Sequence, residues 1–285
     1  MFKIVNKQVK RFVIRMVAIM LALLLVGCGG LGTSGKQEQP TPSPDANQQE
    51  GTPPAEEEPK DIETPKPNEQ PDSAGTAGES FGAYVEAKGE VIGKLSDALA
   101  NNPGTELDTM SLLGVMMVDM MLLPATSFGL GEEVALSILG FLSAEDVAYS
   151  ENGNQYSIKF KNAEGEQYEL QGVYDKAADS LKCTVFVEGK ESVVSEHRKT
   201  SFGYVGQIYS VNKDGSFETY QLALSGGNGV VGITEISAAP AALTGSEAAD
   251  FPKACEEWYA IDGNDFTGVT SDGRELSFTY TPSDD

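Results

Sequence analysis

The order of apolar and polar residues divides the chain into a helical part followed by a β part. From Phe81 the positions Phe81, Tyr84/Val85, Lys88, Val91/Ile92, Leu95 and Leu99 recur at helical spacing until Asn101-Asn102-Pro103-Gly104 interrupts them. This spacing predicts an amphipathic helix with Ser80 as its N-cap, so folded structure is expected to begin near Phe81. A second helix is expected from about Leu107 to Leu123, stopped by Pro124. A third is expected from Glu132 to Leu142, its two leading acids suiting the positive end of the helix dipole.

After Asp146 the period changes to two. The expected strands are Val147–Ser150, Gln155–Asn162, Gln167–Tyr174, Ser180–Glu188, Glu191–Lys199, Phe202–Val211, Phe217–Ser225 and Gly229–Ser237. Breaks such as Asn152-Gly-Asn154, Glu164-Gly-Glu166 and Gly226-Gly-Asn-Gly229 are too short for parallel crossovers, so the strands should form an antiparallel meander. A late helix over about Ser246–Trp258 and a hairpin turning at Ser271-Asp-Gly273 complete the pattern. Tyr156, Ile158 and Phe160 point one way while Gln155, Ser157, Lys159 and Lys161 point the other, and Leu181, Cys183, Val185 and Val187 share a face. One side of the sheet is apolar and needs a cover, and the helices of residues 108–142 are the large apolar cover available. The expected fold class is α+β: N-terminal helices packed on a large antiparallel β-meander, a curved sheet or half-barrel, with a late helix and a C-terminal hairpin. It looks like the open half-barrel of lipoprotein-carrier proteins, a likeness of architecture with no shared motif behind it.

The residues before the helices read differently. Lys3, Lys7, Lys10, Arg11 and Arg15 precede an apolar run, Met16–Val26, that ends in Gly27-Cys28-Gly29-Gly30. This is the pattern of a secretory signal, and the run is about half the length a membrane-spanning helix requires. Its end, Leu25-Val26-Gly27-Cys28, resembles the lipobox of bacterial lipoproteins. The resemblance implies that the Cys28 thiol carries a diacylglycerol, that cleavage occurs before Cys28, and that the mature protein sits lipid-anchored on the extracytoplasmic face of the cell membrane. Residues 29–80 hold nine of the fourteen prolines, no aromatic residue, and only Leu31 and Ile62 as large aliphatics. Such a segment cannot offset the entropy of ordering its backbone and is expected to be a disordered tether with a coil length of about 40 Å. The expected organisation is a signal peptide over 1–27, the lipidated Cys28 and tether over 28–80, and one globular domain over 81–285.

Charge narrows the partners. From Cys28 onward 15 bases face 43 acids, a net of −28, which excludes nucleic acid as a partner because phosphate binding needs clustered Lys and Arg. Three short motifs fail on context. Gly30-Leu-Gly-Thr-Ser-Gly-Lys36-Gln37 lacks the Ser/Thr a P-loop requires after its Lys. Gly227-Asn-Gly-Val-Val-Gly232 fits the dinucleotide fingerprint by letter, but runs on as a strand where a helix is required. Asp262-Gly-Asn-Asp265 and Asn212-Lys-Asp-Gly215 lack calcium-loop spacing and read as ordinary turns.

The remaining candidates lie in the helical layer and the sheet. The second helix holds Met110, Met116, Met117, Met120 and Met121, every methionine beyond the signal segment. Flexible, polarizable Met side chains adapt to varied apolar partners. Met116, Met117, Met120 and Met121, with Tyr156, Phe160, Tyr168 and Val185 of the sheet, are the candidate ligand contacts. A buried core helix, apolar all round, has the same composition. Asp119 is the anomaly in that helix and is expected to face solvent or bond a helix N-terminus. The single histidine, His197, lies between Glu196 and Arg198 and reads as an exposed strand residue, unable alone to supply a His-based metal cluster or a Ser-His-Asp triad. Cys183 and Cys255 are expected to be buried thiols, with a disulfide as the alternative in an oxidising compartment. No catalytic residue, metal set or cofactor is indicated. The expectation is a non-enzymatic membrane-anchored lipoprotein that binds an apolar ligand or an envelope protein. The alternatives are an acidic interaction module with a solid core and, last, a carboxylate-dependent hydrolase.

Overall fold

The computed structural model describes residues 75–282. The signal segment, Cys28 and most of the expected tether lie outside the described residues, as does the P-loop-like stretch. The described chain opens with three helices: α1 (Ala77–Asn101), α2 (Thr109–Leu122) and α3 (Glu132–Phe141). A 3-10 turn, Leu123–Ser127, follows α2 directly. Eleven strands come next in chain order: β1 (Glu145–Asn152), β2 (Gln155–Lys161), β3 (Gln167–Asp175), β4 (Ser180–Val187), β5 (Lys190–Lys199), β6 (Tyr204–Val211), β7 (Phe217–Ser225), β8 (Asn228–Ile236), β9 (Glu257–Asp262), β10 (Asp265–Val269) and β11 (Glu275–Thr279). Every neighbour in sequence is a neighbour in the sheet, all pairs are antiparallel, and β1 and β11 form unpaired edges. The fold is α+β with one large, open antiparallel sheet.

α1 starts at Ala77, four residues before Phe81. Ser80 is not its cap. Thr76 and Glu79 form a capping box, in which Thr76 Oγ1 accepts from Glu79 N–H at 3.2 Å and Glu79 Oε2 accepts from Thr76 N–H at 2.8 Å. Ser80 is instead buried on the first turn, facing the sheet. One face of α1, with Phe81, Tyr84, Val91, Ile92, Leu95 and Leu99, is buried. The helix packs against α2, β4, β7, β8 and β9. Two glycines on the inner face of the sheet admit this layer: a Cβ at Gly206 would overlap the Tyr84 ring, and one at Gly172 would overlap Phe128. Larger residues there would push the helices off the sheet.

The late helix expected over Ser246–Trp258 does not form. Residues 237–250 are irregular, Phe251–Ala254 make one 3-10 turn, and Glu257 and Trp258 begin β9. Pro240 and Pro252 bracket the segment, and its carbonyls serve the sheet: Gln207 Nε2 donates to Ala241 O at 2.9 Å and Arg198 Nη1 donates to Thr244 O at 2.6 Å. Leu243 N–H donates to the buried Glu196 carboxylate at 3.2 Å, and the Gln207 amide donates to the same group at 2.9 Å. The segment is a strap across the outer face of β5 and β6, the face expected to be wet.

That strap, together with the register, corrects His197. His197 pairs with Leu181 and Gly206 on the inner face, so its charged neighbours Glu196 and Arg198 belong to the opposite face. The imidazole is buried, not exposed. Cys183 and Cys255 are both buried and free. Cys183 belongs to the inner core, whereas Cys255 lies against Gly232 and Gln221 of the outer face, so the sheet separates them and no bridge forms.

Asp119 neither faces solvent freely nor caps a helix. It falls in the inward stripe of α2 with Leu112, Val115 and Leu122, and forms an ion pair with the fully buried Lys88 of α1. Burial lowers the Lys88 pKa and raises that of Asp119, while their mutual attraction opposes both shifts. Removing one partner strands the other in the core. Asp119→Ala is expected to cost about 3–5 kcal/mol in urea unfolding. The joint replacement Lys88→Met with Asp119→Leu should recover most of that loss.

Candidate binding surface

Two sides of α2 are apolar. Leu112, Val115 and Leu122 face the core and are buried, while Met110, Leu113 and Met117 lie on the opposite side. Met110 is 55% exposed and Met117 40%. The pattern extends past the helix: eight of the ten large hydrophobic residues with exposed side chains fall between Leu107 and Phe141, so exposure is concentrated on α2, α3 and their connector. In α3, Ala135 and Leu139 are buried while Leu136 is exposed and Phe141 is 82% exposed. Their concentration in one stretch of chain makes that stretch the candidate contact surface. Thr109–Ser127 is long and apolar enough by length and composition to cross a membrane, but it carries Asp119 and packs its inner stripe on α1 and the sheet.

The candidate ligand contacts separate into three groups. Met116 and Met121 pack against the core margin and Met120 is half-buried, so of the four only Met117 is largely open. Tyr156 is buried and stacked on Phe128 with ring centroids 5.0 Å apart, and Val185 is fully buried. Phe160 and Tyr168 are directly paired across β2 and β3 and stack at 5.3 Å at the edge of the core. The sheet residues are therefore packing residues under the helices, and the methionine helix turns a different face to solvent. Leu113 belongs to that outer face, and neither it nor the exposed Leu107, Leu136 and Phe141 is among the sequence candidates. Their signal was present in the apolar residues opposite the inward stripe, but periodicity does not say which of two apolar faces stays open.

A chain of buried polar groups runs under the N-terminal half of α1. Ser80 Oγ and His197 Nε2 are hydrogen-bonded at 3.0 Å, and Tyr84 stacks on the imidazole at 4.5 Å, nearly parallel. Lys88 Nζ lies 5.0 Å from the Tyr84 ring centre. Tyr174 OH donates to Asp179 Oδ1 at 3.1 Å on the same side. Burial, and after it the Lys88 charge, pushes the His197 pKa down to about 3, so the imidazole is neutral at ordinary pH. Serine and histidine in contact suggest nucleophilic chemistry, but both are buried inside the core, out of reach of a substrate.

On the outer face an open cleft of about 540 Å³ lies between the 3-10 turn at Phe251–Ala254 and strands β8 to β10. Asp250, Asp262, Asp265 and Lys253 line it above Val230 and Ala260, and Lys253 Nζ lies 5.0 Å from the centre of the Trp258 ring. Among the described residues no group of three or more His, Cys, Asp or Glu side chains is arranged to hold a metal ion. No protein-family model, curated protein or solved structure matches the chain.

The neutral His197 has a measurable consequence. Its pKa in the folded state lies below the ordinary value of 6.5, so the unfolded chain binds the proton first. The stability contributed by keeping it neutral is complete above about pH 6.5 and is lost as pH falls toward about 3, at up to about 1.4 kcal/mol per pH unit. Urea unfolding between about pH 6.5 and 5, above the range where most carboxylates titrate, should show this slope. His197→Gln should flatten it.

Proposed function

We propose that the chain is a lipid-anchored, non-enzymatic lipoprotein of the extracytoplasmic face of the cell membrane, and that it holds an apolar partner on the outward face of α2 and α3. The observation that carries this reading is the second apolar side of α2, together with the exposed Leu136 and Phe141 of α3, which no described part of the chain covers. The inner face of the sheet is filled by the helices, so the partner is held outside the core. In this reading the open sheet curves about the helical layer as a half-barrel, and α2 is the element through which the layer meets its surroundings. The anchor rests on the basic N-terminus, the short apolar run and Leu25-Val26-Gly27-Cys28.

A second reading, an acidic interaction module, is supported by the same filled core and by the acidic balance of the chain. The two readings differ in salt dependence. Binding through charge weakens as salt rises, whereas binding through the helical face does not.

Two measurements test the proposal. In a bacterial host that processes lipoproteins, labelled palmitate should enter the protein, and Cys28→Ser should abolish the labelling and release the protein from the membrane. Absence of label from the unaltered chain would overturn the anchor. Paired replacement of Leu113 and Met117 by Gln should reduce binding of an environment-sensitive apolar dye several-fold without lowering the thermal midpoint, because these side chains face away from the core. Unchanged dye binding would remove the helical face as the site.

A further inference from the structure

The apolar face of α2 and α3 needs an occupant, and several observations bear on which. The first is where the chain enters the domain. Gly78 N–H donates to Phe128 O at 2.8 Å, and Thr76 lies against Gly129, so the N-terminus of α1 is fastened to the connector between α2 and α3. The chain arriving from Cys28 thus joins the domain at the helical layer, beside the exposed Leu123 and Leu130.

The second observation concerns the intervening chain. Residues 29–74 contain Leu31 and Ile62 as their only large aliphatics and no aromatic residue, too little to cover eight exposed hydrophobic side chains. The occupant has to come from elsewhere.

The third is charge. No Lys, Arg or His occurs between Lys94 and Lys159. Glu106, Glu132, Glu133 and Glu145, in the same stretch of chain as the open apolar residues, are exposed. Carboxylates without neighbouring cations are repelled by anionic headgroups, so among bilayer surfaces this stretch suits one without net charge. Peripheral membrane helices usually combine an apolar face with basic flanks; this one reverses the sign of the flanks.

We infer that the outward face of α2 and α3 docks on the surface of a bilayer through zwitterionic lipid, held there by the anchor at Cys28. This rests on the reading of Cys28 as the lipidated residue. The anchor supplies a high local concentration, so a modest apolar contact suffices to seat the domain. Met110, Leu113, Met117 and Phe141 enter the boundary between headgroups and acyl chains, and the outer face of the sheet with its cleft stays turned to the surroundings.

The test uses the full-length chain made in a lipoprotein-processing host and reconstituted into phosphatidylcholine vesicles. A polarity-sensitive thiol probe is placed singly at Met117→Cys, Phe141→Cys and Val173→Cys, the last exposed on the outer face of the sheet; Cys183 and Cys255 are buried. Probes at 117 and 141 should shift to the blue and be quenched about twofold or more by lipid-borne quenchers, while the probe at 173 is unaffected. Adding phosphatidylglycerol at low ionic strength should reverse the shift at 117, and roughly 0.5 M salt should restore it by screening. Vesicle flotation without quenching at 117 and 141 would overturn docking and leave the anchor intact. Failure to float would overturn the anchor and docking with it. A blue shift that needs no vesicles and grows with protein concentration would assign the face to a second copy of the chain and overturn docking.

Discussion

A sheet of eleven strands with one apolar face cannot remain open in water without a second layer, and here three helices supply it. Ten gaps between strands at about 4.8 Å make the sheet roughly 48 Å wide, whereas α1 is about 37 Å long. α1 alone does not span it: α3 reaches β1, and the 3-10 turn after α2 reaches β3. Where helix and sheet approach most closely the sheet gives way, with Gly206 under Tyr84 and Gly172 under Phe128. Four of the polar groups drawn into this interface are paired, Ser80 with His197 and Lys88 with Asp119, while the buried Tyr84 hydroxyl has no hydrogen-bond partner. The last pair is an ionic tie between α1 and α2. Asp119 stands where the inward stripe of α2 would otherwise carry an apolar residue, so the tie favours one registry of the two helices.

The same shortage of helical cover shapes the outside of the layer. α2 is apolar on both its inward and outward sides, and α3 exposes Leu136 and Phe141 among Glu132, Glu133 and Ser137. Leaving Met110, Leu113, Met117, Leu136 and Phe141 in water forgoes about 25 cal/mol for each Å² of apolar surface exposed. On the proposed reading of Cys28 as the lipidated residue, a protein tethered to a membrane has a use for that surface. The outer face of the sheet follows the opposite economy: Glu196, Gln207 and Arg198 hold the strap of residues 237–250 through its backbone, a polar closure over strands β5 and β6.

Much of the fold is legible from local pattern. The strands up to Ile236 appear in sequence as alternating runs separated by Gly-containing turns, and Gly226 and Gly227, both with positive φ, close the β7–β8 hairpin as the Gly-Gly pair suggests. Misreadings occurred where long-range partners outweigh local composition. Residues 246–258, rich in Ala and Glu, have helical propensity, but Pro252 interrupts them and Glu257 and Trp258 pair with Ile233 and Gly232 in the sheet. His197 sits among charges, yet its register assigns those charges to the other face. The capping box at Thr76 and Glu79 precedes the first aromatic residue, which the periodicity made the apparent start. For the candidate site, the methionine helix was visible as composition. Which methionines face outward depends on the position of the inward stripe, and that depends on Lys88, in a different helix.

The positions of the methionines allow the central claim to be tested in one experiment. Beyond the signal segment every methionine lies in α2, with Met110 and Met117 outward and Met116 and Met121 against the core. Mild peroxide treatment of the anchored protein on its membrane and of the same protein released by cleavage after Cys28, followed by mass spectrometry of the α2 peptide, measures how far each sulfur is covered. The account predicts that Met110 and Met117 oxidise readily in the released protein and are protected several-fold on the membrane, with Met116 and Met121 slow in both. Equal oxidation of Met110 and Met117 in the two forms would contradict it.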